Sequence, residues 1–131
     1  MEEHLSADSF SALLGLQVEE SRVDFCRLRM PFRPDLRTTA EVVHGGAIAS
    51  LIDTAAVVAV WSNVDADTTR GATASLTVNY LAASGREDLI ANAQVIRRGR
   101  SVVFVDVDVF TLRSERIAKG VVTYKLGRGG K

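Results

Sequence analysis

A chain of 131 residues with 16 basic and 16 acidic side chains has the size of one domain and no net charge. Its 47% hydrophobic and 24% charged content is that of a folded protein and excludes disorder, low complexity and collagen-like sequence. Balanced charge provides no field to draw in nucleic acid or an acidic membrane, and no apolar run reaches the roughly 20 residues that span a bilayer.

Residues 7–14 read as a short helix, with Ser6 as N-cap and Gly15 just past its end. Residues 16–32 read as two extended strands, with Glu19-Glu20-Ser21 as the turn and Pro31 and Pro34 as the close. A loop holding Arg37, Thr38 and Thr39 leads to His44-Gly45-Gly46. Residues 47–61 then form the longest apolar stretch, which predicts a buried central helix of about four turns. Four strands follow, over residues 73–81, 89–97, 102–112 and 117–126, separated by Ser84-Gly85, Arg98-Gly99 and the polar residues 113–116. Val103, Val105, Val107 and Val109 alternate with Phe104, Asp106 and Asp108, the pattern of an antiparallel strand with one face in a core. No repeat or linker divides the chain, so residues 1–131 are expected to form one domain, with 127–131 as a frayed tail. The lone Cys26 closes no intrachain disulfide, and the two histidines add no zinc-ligand spacing. With the acidic start Met1-Glu2-Glu3-His4, which is unlike a signal peptide, this leads to the expectation of a cytoplasmic protein that holds no metal.

Asp53 is the only ionisable group in the central helix. Ser50, Asp53 and Thr54 stand at i, i+3 and i+4, a narrow polar stripe on one face. Burying a carboxylate without a cation costs several kcal/mol, and no Lys or Arg stands at helical spacing from it. Asp53 therefore either anchors the helix by hydrogen bonds to Ser50, Thr54 or a backbone amide, or borders a cleft as a general base or nucleophile. His44-Gly45-Gly46 is either a tight turn into the helix or a place where unpaired N–H groups meet a developing oxyanion. The two features are nine residues apart, about 13 Å along a helix, too far to touch one carbonyl. If both act on one substrate, the amides come from one protomer and the carboxylate from another, which a two-fold dimer provides twice.

The decapeptide His44-Gly45-Gly46-Ala47-Ile48-Ala49-Ser50-Leu51-Ile52-Asp53 resembles the signature of PaaI-type hotdog acyl-CoA thioesterases. The resemblance runs from about Leu14 to Leu126 and takes in the strand from Thr73 to Tyr80 and the turn Arg98-Gly99-Arg100. It implies an α+β hotdog fold: a long helix enclosed by a curved antiparallel sheet, with dimers sharing a continuous sheet and pairing into tetramers. No metal or prosthetic group is implied; coenzyme A enters as part of the acyl-CoA substrate. Carried over, Asp53 would be base or nucleophile, Gly45 N–H would polarise the thioester carbonyl, His44 would hold the glycine loop and Thr73 would help place the attacking water. Gly46, Ser50, Thr54 and Tyr80 would line the substrate. Arg97, Arg98, Gly99, Arg100 and Ser101 would carry the phosphates of coenzyme A, or else form a solvated hairpin turn. At Thr38 the chain departs from the many members with asparagine six residues before the histidine, and at Ala83 from a proline common after the tyrosine. Trp61, Phe104 and Phe110 could line an acyl pocket or serve as plain core. The alternative from another class is a non-catalytic acyl-CoA binding or sensing protein on the same scaffold.

Overall fold

The computed structural model describes residues 8–129. In chain order, its elements are helix α1 (Ser9–Leu14), strands β1 (Gln17–Arg22) and β2 (Phe25–Met30), a 3-10 turn at Pro34–Leu36 and helix α2 (Gly45–Trp61). Strands β3 (Thr68–Tyr80), β4 (Leu89–Arg98), β5 (Val102–Thr111) and β6 (Arg116–Arg128) follow. The six strands make one antiparallel sheet in the order β1-β2-β4-β5-β6-β3, so the chain crosses over through α2 to place β3 on the far edge. This is the long helix against one antiparallel sheet that the resemblance implies.

The core lies between α2 and the inner face of the sheet. On β5, Val103, Val105, Val107 and Val109 are fully buried while Phe104, Asp106, Asp108 and Phe110 remain partly open, as the period of two requires. Small Ala91 and Ala93 on β4 let the helix approach, and Leu51, Ile52, Ala55, Ala56 and Ala59 lose all exposure against them. At the closest approach, a Cβ on Gly120 would stand 2.5 Å from Ile52 Cγ2, so only glycine fits beneath the helix there.

Several boundaries differ from those read along the chain. The first helix starts at Ser9, and its cap is Asp8, whose carboxylate accepts from Phe10 N at 3.2 Å and Ser11 Oγ at 2.7 Å. The expected cap, Ser6, lies outside the described residues. Glu19, Glu20 and Ser21 are not a turn but part of β1; the chain reverses at Val23-Asp24, where Asp24 takes φ 63°. Nearly every β1 side chain is exposed, so the strand carries no alternating signal, whereas Asp is among the few residues that tolerate the left-handed conformation of a tight turn. β3 begins five residues before the expected start. Gly127 and Arg128 belong to β6, where they pair with β3, and not to a tail.

Candidate active site

Helix α2 starts where it does because His44 caps it. His44 Nδ1 accepts the Gly46 N–H at 2.9 Å, and its carbonyl accepts from Ala47 N at 3.0 Å and Ile48 N at 3.2 Å. The preceding loop is held on both sides, by His44 N to Leu36 O at 2.7 Å and Val43 N to Ser84 O at 3.1 Å. Thr38 belongs to this loop, and its hydroxyl oxygen accepts from Ala40 N at 3.0 Å. The two glycine amides, both expected to be unpaired, thus differ. Gly46 N–H is taken by the imidazole, so it is no free donor to a substrate; Gly45 N–H meets no acceptor among the described residues and points out of the positive end of the helix.

Two turns along, Asp53 is half-buried on the side of α2 that the sheet leaves partly open, with Ser50, Thr54, Val57 and Trp61. Its Oδ1 accepts the Thr73 hydroxyl at 2.7 Å. Ser50 does not serve it, because Ser50 Oγ donates to Gly46 O at 2.8 Å, one turn back. Among the described residues no Lys or Arg pairs with Asp53 and no donor reaches Oδ2. One oxygen is anchored and the other carries no hydrogen bond among the described residues.

β3 supplies the anchor through an irregularity. Thr73 pairs with Tyr124 and Ser75 with Thr123, so Ala74 is an extra residue without a partner on β6. Such a bulge switches the face that odd and even residues occupy. Thr73 before it and Tyr80 after it therefore both reach α2, Thr73 at Asp53 and Tyr80 by donating its hydroxyl to Gly45 O at 2.7 Å.

Tyr124, which sequence reasoning missed, lies beside Thr73 in register. Its oxygen accepts from Trp61 Nε1 at 3.0 Å, and the two rings meet edge-on. Burial and the negative charge of Asp53 raise its pKa, against the opposing effect of the indole bond. A Cβ on Gly71 would fall 2.5 Å from the Tyr124 ring, so the glycine makes room for it. Only the strand pairing brings Tyr124 to this place, and no spacing along the chain announces it. Phe104 and Phe110 lie on the outer face of the sheet, Phe110 under the Arg116 guanidinium, away from Asp53.

The arginine group divides. Arg98 donates to Asp24 Oδ1 at 2.8 and 3.1 Å and to Val60 O at 3.0 Å. It ties the β1–β2 turn to the negative end of α2 and already carries a carboxylate partner. Arg97, Gly99, Arg100 and Ser101 are exposed at the β4–β5 hairpin, where Gly99 N donates to Val102 O at 2.8 Å and Ser101 O accepts from Leu126 N at 2.7 Å. Burial pushes the Cys26 thiol up to about 12, which disqualifies it as a nucleophile. Among the described residues no three His, Cys, Asp or Glu side chains gather as a metal ion would need, and no helix is long and apolar enough to cross a membrane.

Residues 40–118 match the thioesterase superfamily. A Halobacterium salinarum protein, named as a candidate esterase, is 38% identical over 104 residues, 76% of this chain and 68% of its own. The medium/long-chain acyl-CoA thioesterase YigI of Escherichia coli is 28% identical across 90% of this chain and 85% of its own. Among solved structures, the Escherichia coli PaaI protein superposes with TM-score 0.87 at 21% identity, covering 98% of this chain and 90% of that one. A thioesterase family protein from Silicibacter pomeroyi reaches 0.91 at 21% identity, covering 98% and 96%. The match over residues 40–118 and these superpositions agree with the sheet and helix described above: the chain belongs to the thioesterase superfamily and has the hotdog fold.

Proposed function

We propose that the protein hydrolyses acyl-CoA thioesters to the free acid and coenzyme A, at two equivalent sites shared between two copies of the chain. The observation that carries this is Asp53: a half-buried carboxylate with one oxygen fixed by Thr73 and, among the described residues, no cation beside it and no donor on the other oxygen. Asp53 takes the proton of a water whose oxygen attacks the thioester carbonyl, or attacks that carbon itself to form an anhydride that water then opens. The carbonyl oxygen gathers negative charge opposite Gly45 N–H of the second copy, the carbon–sulfur bond breaks, and the sulfur leaves with a proton.

The need for a second copy comes from length and edges. Gly45 and Asp53 are eight residues apart on one rigid helix, about 12 Å, so one chain does not bring both to a single carbon. β3 is a thirteen-residue edge strand on which only Thr68, Thr73 and Val78 are not exposed, a surface that favours pairing with its own copy. A two-fold axis there sets the helices antiparallel, with each glycine turn directed toward the other chain's Asp53. Arg97 and Arg100, which no carboxylate pairs among the described residues, are the candidates for the phosphates of coenzyme A. Such dimers would in turn pair into a tetramer.

The test is release of free thiol from a panel of short, long and aromatic acyl-CoAs. Asp53→Ala is expected to reduce it by about 10²–10⁴-fold, and unchanged turnover would remove Asp53 from the mechanism. Gly45→Pro deletes the N–H at a helix position that accepts proline, and is expected to retain only a small residual activity. Mixed dimers of the two variants should recover half of the wild-type activity, because one of their two sites is intact; no recovery would refute the shared site. Saturable binding without turnover in the wild type would instead support the binding protein, a reading motivated by the hydroxyl of Thr38 where relatives of the resembled type carry an amide.

A further inference from the structure

The peptide group between Gly45 and Gly46 is held at both ends. Its N–H donates to His44 Nδ1 at 2.9 Å, and its carbonyl oxygen accepts the Tyr80 hydroxyl at 2.7 Å. The peptide group before it, between His44 and Gly45, is held at one end only. Its carbonyl is drawn into the first turn of α2 by Ala47 N and Ile48 N, and its N–H, being trans to that carbonyl, projects out of the helix start with no acceptor among the described residues. Gly45 joins the two planes. Without a Cβ it constrains their relative rotation less than any other residue does, so the direction of its free N–H depends on what holds its neighbours. The packing is close: a Cβ at Gly45 would stand 3.3 Å from both Cζ and Oη of Tyr80, so the tyrosine ring lies against the bare Cα and would shift by a few tenths of an ångström to admit a side chain.

From this geometry we infer that Tyr80 is a positioning residue for the reaction, fixing through the Gly45 carbonyl the direction of the Gly45 N–H that receives the developing charge. It is not primarily a contact for the substrate, the role the sequence suggested. The inference rests on the reading of Gly45 N–H as oxyanion donor. Oxyanion donors act through alignment with an oxygen that moves as the carbonyl becomes tetrahedral, so a misdirected donor loses its effect on the transition state more than on ground-state binding.

Tyr80→Phe keeps the ring against Gly45 and removes only the hydroxyl. It is expected to lower kcat about ten-fold, with KM changed less than about two-fold and thermal stability close to wild type. A rise in KM at constant kcat would identify Tyr80 as a substrate contact and overturn the inference, as would wild-type kinetics. In the Gly45→Pro background, which has no N–H to direct, Tyr80→Phe should produce no further loss of the residual activity; an equal additional loss would place the hydroxyl's effect elsewhere. Asp53→Ala measured beside them separates the two levels. If Asp53→Ala is strongly impaired and Tyr80→Phe has wild-type kcat, only the positioning role falls; if Asp53→Ala is fully active, the underlying reading falls first.

Discussion

The two sides of helix α2 obey different physics. The side toward β4 and β5 is built from Leu51, Ile52, Ala55, Ala56 and Ala59, all without exposure, against the alternating valines of β5 and the alanines of β4. The side toward β3 carries Ser50, Asp53, Thr54 and Val57 and stays half-open, beside a strand exposed on both faces. A carboxylate in the first region would lose its hydration with nothing to replace it; in the second it keeps one oxygen free at the cost of a single strand hydroxyl. Placing stability on one side of a rigid rod and polar chemistry on the other lets the two vary separately.

That separation can be broken by substitution, and the largest effect is expected at Asp53. Asp53→Ala should reduce turnover by about 10²–10⁴-fold while leaving the midpoint of chemical denaturation nearly unchanged; a large loss of stability would mean that the open side also holds the fold together. Leu28→Ala, on the closed side, should do the reverse, with about 2–5 kcal/mol lost in denaturant unfolding and undiminished activity per folded molecule. Arg98→Ala sharpens the boundary between them. With Asp24 Oδ1 and Val60 O left to the longer bonds from Asn63, both at 3.4 Å, it should cost about 1–3 kcal/mol without changing the KM for acyl-CoA, and a KM effect alone would place Arg98 in the coenzyme A site.

The smallest expected effect lies at the sheet's other margin, in acid. The Phe32 amide at 2.7 Å and, more weakly, Arg29 at 2.6 Å hold the Asp88 carboxyl below its ordinary value, against some desolvation. A carboxylate whose pKa is lowered by folding contributes stability above its unfolded value of about 3.9 and loses it as the pH falls through the lower folded value. Wild type should therefore lose stability relative to Asp88→Asn as the pH is taken below about 4, and parallel profiles for the two in denaturation experiments would contradict this.

The long helix and the strands β4, β5 and β6 were legible because their signals are local: a long, mainly apolar run for the helix, the alternation of Val103 to Val109 for β5, and the polar and glycine turns that separate β5 from its neighbours. The polar stripe of Ser50, Asp53 and Thr54 was legible for the same reason. What the chain order hides are decisions made by pairing. Thr73 and Tyr80 have opposite parity, and nothing in their spacing says that both face α2. The turn at Val23-Asp24 escaped notice because β1 is exposed and has no alternation to interrupt. Arg98 reads like its neighbours Arg97 and Arg100, yet its partners Asp24 and Val60 come from two other elements.

The unpaired Ala74 couples the two halves of the proposed chemistry. Because it shifts the reading frame of β3, the hydroxyl that steadies the acid and the hydroxyl that steers the amide hang from one strand like two teeth on a single gear. Removing one residue anywhere between them would turn one tooth outward while the other stayed engaged. Substitutions can retune either support alone, but any change of length in this segment has to be matched by a second one that restores the phase.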